Sequence, residues 1–250
     1  MLIFINSCDS KKKLLHYAEK NNFTQKIYHK FGFEILTLQK ISDNNKPLTI
    51  YIEGDGFAYV NKYRASSNPT PRFNLLFDLI KEDKSPNIIY LARPCQYILN
   101  KKCDKKYWTS DRFSSEIIAA IYSIIDEFKD YKIDLIAYSS GAFIALQMKQ
   151  KNINTIRTIA GNLDLESFVN FHKISPLEHE KIDYERLSKI PQIHFVGLSD
   201  KIISPIISRS YQEKLQIKNC LKIVEVENAT HSKNWQKNWK KLLEIEVKCD

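Results

Sequence analysis

Apolar residues along the chain fall into short runs, set apart by polar turns and by stretches with helical spacing. Phe31, Phe33, Ile35, Leu36 and Leu38 predict a strand over 31–38, closed by the polar turn 42–46. Strands with short apolar cores follow at 48–52, 87–91, 134–138, 155–160, 192–197 and 221–226, as expected of a sheet covered on both faces. Helical patterns lie between them at 73–80, after residue 139 through about 149, at 205–215 and at 235–247. Ser114 opens another helix, with Glu116 in its first turn and a stripe of Ile117, Ile118, Ile121, Ile124, Ile125 and Phe128. A weaker helical pattern (Leu14, Leu15, Ala18) covers 11–30. Strand alternating with helix predicts an α/β fold, a mostly parallel twisted sheet with helices on both faces. The expected organisation is an N-terminal segment over 1–30 and a single domain over 31–250. The long inter-strand segments 92–113 and 162–190 are candidate walls, and 162–190 is expected to be a small cap insertion.

Composition changes this picture little. The 250 residues are 43% hydrophobic and 27% charged, ordinary for a globular chain, with no internal repeat. A net charge of +9 raises nucleic acid as a partner, but the lysines are scattered and no RNA-binding, helix-turn-helix or zinc-finger spacing accompanies them. A small molecule, bound by a monomer, is the expected partner, and nucleic acid is not. No apolar run approaches the ~20 residues that span a bilayer. The start of the chain nonetheless resembles the tail of a bacterial lipoprotein signal: an apolar run ends at Ser7-Cys8 and a polar, lysine-rich segment follows. That suggests a membrane tether through Cys8 in the cell envelope, whereas an ordinary N-terminal strand would leave the protein cytoplasmic. The other four cysteines suit either two disulfides in an oxidising compartment or four thiols. Cys95 and Cys103, eight positions apart, could close a small loop and lack zinc-site spacing.

Chemistry enters at the ends of the strands, where parallel sheets place their ligands. Residues 133–146 read IDLIAYSSGAFIAL, with Ala137 and Gly141 bracketing Ser139 where strand gives way to helix. A serine on so sharp a turn needs small residues two before and two after it, and its hydroxyl then stands exposed as a candidate nucleophile. Such a serine needs a base and an acid that orients the base. Asp200 follows the 192–197 run, and His231 follows the 221–226 run. His231 is the expected base and Asp200 its partner; Asp164 is the runner-up acid. His16, His29, His172, His179 and His194 are poorer bases by position. The oxyanion is expected to meet the backbone amide of Ser140 and that of Asp55, with Gly56 the alternate, in the loop Glu53-Gly-Asp-Gly56. Two carboxylates in that loop oppose a developing negative charge. At least one is therefore expected to pair with Arg93 or Arg112, or else with Arg64 or Arg72. Phe57 and Tyr138 are candidate pocket residues.

In that order and spacing, Glu53-Gly-Asp-Gly56, Ala137-Tyr-Ser-Ser-Gly141, Gly197-Leu-Ser-Asp200 and Ala229-Thr-His231 resemble the α/β-hydrolase superfamily over about residues 33–248. An Ile-Glu-Gly-Asp-Gly loop and an Ala-Arg-Pro-Cys-Gln-Tyr segment (Ala92 to Tyr97) are similar to those of a group of bacterial members. The resemblance implies a serine hydrolase that cleaves an ester, thioester or amide through an acyl-enzyme, without a cofactor or metal. Two departures stand out: Ala137 in place of glycine, and Glu53 where many members carry histidine. The alternative function is a binding or envelope-associated protein that keeps the fold without turnover.

Overall fold

The computed structural model describes residues 7–73, 75–247 and 249. The chain begins α1 (Ser7–Lys20), β1 (Thr24–Lys30), β2 (Phe33–Ile41), β3 (Leu48–Ile52), a small hairpin of β4 (Tyr59–Asn61) and β5 (Arg64–Ala65), and α2 (Leu75–Ile80). It continues with β6 (Asn87–Leu91), α3 (Ser115–Ile125), β7 (Ile133–Tyr138), α4 (Gly141–Gln147) and β8 (Ile153–Ile159). The last part runs α5 (Leu165–His172), α6 (Tyr184–Leu187), β9 (Gln192–Gly197), α7 (Pro205–Lys214), β10 (Leu221–Val226) and α8 (Gln236–Leu243).

Among the described residues eight strands form one sheet in the order β1-β2-β6-β3-β7-β8-β9-β10. The six strands from β6 to β10 are parallel, and β1 and β2 add an antiparallel edge. Successive side chains of a strand point to opposite faces, which builds two apolar layers. In β7, Leu135 and Ala137 pack with Ile117 and Ile121 of α3 and Phe143 of α4. Ile136 packs instead with Leu14 of α1, Leu79 of α2 and Trp239 of α8. β3 and β6 are buried along their whole length, in keeping with the apolar residues that make up most of each.

The topology also creates the place for a ligand. From β3 the chain moves to β6 on one side, then crosses to β7 on the other. Loops leaving β3 and β7 therefore diverge and open a crevice at their carboxyl ends.

Two expectations need correction. The helical pattern over 11–30 holds only to Lys20, because Thr24–Lys30 is an edge strand paired with β2 through seven residues. Only Tyr28 of that strand is buried, so its sequence carries no apolar alternation to betray it. The boundary at residue 30 falls inside the turn of this hairpin, where Phe31 and Gly32 both have positive φ (52° and 82°), as tight hairpin turns require. β1 thus belongs to the sheet domain. Residues 1–6 and the side chain of Cys8 lie outside the described residues, and with them the proposed lipoprotein signal. Of the other cysteines, Cys95 pairs with Cys103 and Cys220 with Cys249.

Candidate active site

Ser139 sits between the end of β7 and the start of α4 with φ of 53°, in the left-handed region that non-glycine residues rarely adopt. The surroundings hold it there. Its amide donates to the Ile159 carbonyl (3.0 Å), while its own carbonyl accepts from the amides of Ala142 (3.1 Å) and Asn162 (2.9 Å). Gly141 explains the sharpness of the turn. A Cβ there would lie 2.6 Å from the Glu53 carbonyl oxygen and 2.7 Å from that of Ile52, so α4 can start against β3 only with glycine.

The structure brings His231 and Asp200 to this serine. His231 Nε2 lies 3.0 Å from Ser139 Oγ, and its Nδ1 lies 2.9 Å from Asp200 Oδ2. The other Asp200 oxygen accepts from the amides of Ile202 (2.8 Å) and Ile203 (2.9 Å), which fix the carboxylate while leaving Oδ2 for the imidazole. The His231 carbonyl accepts from the Tyr138 hydroxyl (3.1 Å) and the Trp235 indole (3.3 Å), which steadies the loop after β10. Burial, with Glu53 and Asp200 nearby, raises the Tyr138 phenol well above its ordinary range, so it remains a donor. Asp164 instead caps α5 and pairs with Lys214 (2.8 Å). His194 is buried in the core with Nδ1 on the Thr158 hydroxyl (2.8 Å), and burial pulls its pKa down to about 3.

The acidic loop after β3 forms the opposite wall of the crevice, and its charges are accounted for. Asp55 accepts from Arg112 Nη1 (2.8 Å), Arg93 Nη1 (3.3 Å) and the Ser140 hydroxyl (2.6 Å). Arg93 is itself buried and also donates to Ser140 Oγ and to the Arg112 carbonyl. Burial pulls this guanidinium down to about 10, while Asp55 works to keep it charged. The Glu53 carboxyl accepts from the Gly54 amide (2.9 Å) and the Tyr90 hydroxyl (2.9 Å), and Tyr90 meets Tyr97 at 3.0 Å. Burial pushes Glu53 up to about 7, against the opposing pull of the Gly54 amide, Tyr90 and Arg93. Neither the Asp55 amide nor the Ser140 amide donates to an acceptor among the described residues.

Several supports of this loop carry no signal in the linear pattern. Tyr90 reads as a buried strand residue, yet it holds Glu53, and Gln96 holds the Gly54 carbonyl (2.8 Å); Arg93, which holds Asp55, is a partner expected from the sequence. One stretch of chain, 90–97, thus grips three consecutive residues of the loop. The Ser140 hydroxyl, tied to Asp55, carries no such signal either.

Beside Ser139 and His231 lies a pocket of about 270 Å³, also bounded by Glu53, Asp55, Gly56, Phe57, Pro71, Arg72, Phe73, Leu75, Tyr138 and Ser232. Arg72 does not pair with the acidic loop; its guanidinium lies over the Phe57 ring, 3.3 Å from the centroid. No residue of 162–190 lines this pocket. That segment packs along α4 and α7, with His179 against the Phe143 ring (5.3 Å between centroids) and Gln147 donating to the Glu180 carbonyl. Among the described residues no group of three His, Cys, Asp or Glu side chains could hold a metal ion, and no helix is long and apolar enough to cross a membrane.

Sheet order, crevice and strand-end loops together define the α/β-hydrolase fold. Solved structures share it at low identity. A putative hydrolase from Agrobacterium vitis is similar at 14% identity and a TM-score of 0.61, over 88% of this chain and 97% of that one. Est1E from Butyrivibrio proteoclasticus is similar at 13% identity and 0.59, over 88% and 97%. An esterase from Pyrococcus furiosus is similar at 15% identity and 0.59, over 90% of each chain. No family model matches the sequence, and no curated protein does.

Proposed function

We propose that the protein is a serine hydrolase that cleaves a carboxylic ester, or a thioester or amide, by way of an acyl-enzyme. The observation that carries this reading is the unbroken chain from Ser139 Oγ through His231 to Asp200, at 3.0 and 2.9 Å. Ser139 Oγ attacks the substrate carbonyl carbon while His231 Nε2 takes its proton. Asp200 holds Nδ1–H and stabilises the imidazolium that results. The carbonyl oxygen becomes an oxyanion and accepts from the amides of Ser140 and Asp55, or of Gly56. Collapse breaks the bond to the leaving group, which receives the proton from His231. Water, activated by the same imidazole, then attacks the acyl carbon; its proton returns to Ser139 Oγ and the acid departs. The charge pairing of Asp55 and the raised pKa of Glu53 remove the chief electrostatic objection to an oxyanion at this loop.

Hydrolysis of short-chain 4-nitrophenyl esters tests this reading. Wild type should turn them over with a burst of nitrophenol, and Ser139→Ala should not. Folded wild type that shows no turnover of any activated ester overturns the proposal and favours a binding role.

An oxidising, envelope-facing location is also proposed, supported by the two disulfide pairs. Attachment through Cys8 is part of the same proposal. The mass of the mature N-terminus from cells tests it, since an unmodified Met1 or free Cys8 thiol excludes the anchor.

A further inference from the structure

Among the described residues, the pocket beside Ser139 holds one cation whose charge no other group takes up. Arg72 pairs with no carboxylate and donates no hydrogen bond among the described residues. Its guanidinium lies instead on the face of the Phe57 ring. A guanidinium stacked on a ring in this way keeps the N–H donors of its edge free, and the ring fixes the plane in which they lie. Arg93 and Arg112 differ. Both are buried and both are spent on Asp55.

The remaining charges of the pocket do not compensate Arg72. Asp55 is held by two guanidiniums and the Ser140 hydroxyl. Glu53 turns its two oxygens to the Gly54 amide and the Tyr90 hydroxyl. The apolar lining of the pocket includes Phe57, Pro71, Phe73 and Leu75, which suit a hydrocarbon spacer between the scissile carbonyl and a charged end. On the serine-hydrolase reading, we propose that Arg72 is a specificity-determining residue, and that the substrate is an ester carrying an anionic group, such as a carboxylate, that Arg72 receives while Ser139 attacks the ester carbonyl.

Two matched pairs of esters test this. In the first, the 4-nitrophenyl monoester of glutaric acid is compared with the same ester capped as its methyl ester, which puts the charge on the acyl side. In the second, acetylated 4-hydroxybenzoate is compared with its methyl ester, which puts the charge on the leaving group. Wild type should prefer the anionic member of at least one pair by about ten-fold or more in kcat/KM, mainly through KM. Arg72→Met keeps the packing on Phe57 and should bring that ratio close to one; Arg72→Lys should keep part of it. The preference should also weaken with salt. Turnover of the neutral esters with no preference in either pair overturns the subsite and leaves the hydrolase reading intact. Should no ester be turned over, calorimetric titration of monomethyl and dimethyl glutarate into Ser139→Ala decides the matter without chemistry. Binding of the anion alone, lost on adding Arg72→Met, supports the subsite, and equal binding or none overturns it.

Discussion

The two walls of the crevice solve the problem of buried polarity in different ways. On the serine wall, two backbone amides and an imidazole satisfy the buried carboxylate of Asp200. Each of its contacts comes from a turn that directly follows a strand. The loop wall packs Glu53, Asp55, Arg93 and Arg112 together, with Tyr90 and Tyr97 behind them. The Nε atoms of both arginines there have no hydrogen-bond partner among the described residues. Four ionisable groups lose water so that two or three backbone amides can stand still. Damage to the serine wall should therefore fall on chemistry, and damage to the loop wall on folding as well.

Ser139→Ala should have the largest effect, a loss of roughly 10⁴-fold or more in kcat on an activated ester. Its urea unfolding midpoint should stay close to that of wild type. Arg93→Met comes next, because it leaves Asp55 with one guanidinium in place of two and takes away the donor to the buried Arg112 carbonyl. Urea unfolding should show it destabilised by about 3–5 kcal/mol. An Arg93→Met protein as stable as wild type would erase the contrast between the walls.

Glu53→Gln sharpens the contrast through pH. Below about 4.5 the carboxyl is protonated whether the chain is folded or not, and between there and about 7 only the folded state holds the proton. Wild type should therefore lose stability relative to Glu53→Gln as pH rises across that window, by roughly 3 kcal/mol in all. Above about 7 the difference should level off. Unfolding curves at several pH values check this, and parallel profiles would mean that Glu53 is not held neutral by burial. Tyr138→Phe should have the smallest effect. It removes the hydroxyl that donates to the His231 carbonyl, at a cost of about 1 kcal/mol, with less than a ten-fold fall in kcat.

The difference between the walls also decides how much of the site the chain discloses before it folds. Ser139, Asp200 and His231 each stand a residue or a few beyond a strand whose apolar run is plain, so order along the chain and position in space coincide. Asp55 finds its partners, Arg93 and Arg112, 38 and 57 positions away, and the linear order alone does not exclude Arg64 or Arg72 in their place. Tyr90 and Gln96 serve the loop only because β6 lies beside β3, a pairing set by the whole sheet rather than by neighbours in sequence. The same limit hid β1. As a solvated edge strand it needs almost no apolar face, so Thr24–Lys30 reads as a continuation of the polar helix before it.

The most direct test of the central claim is the intact mass of the folded protein after treatment with a fluorophosphonate. One adduct should form on wild type, map to Ser139 on digestion, and be absent from Ser139→Ala. A folded wild type that takes up no adduct, or takes it up at another residue, would contradict the assignment of Ser139 as the nucleophile.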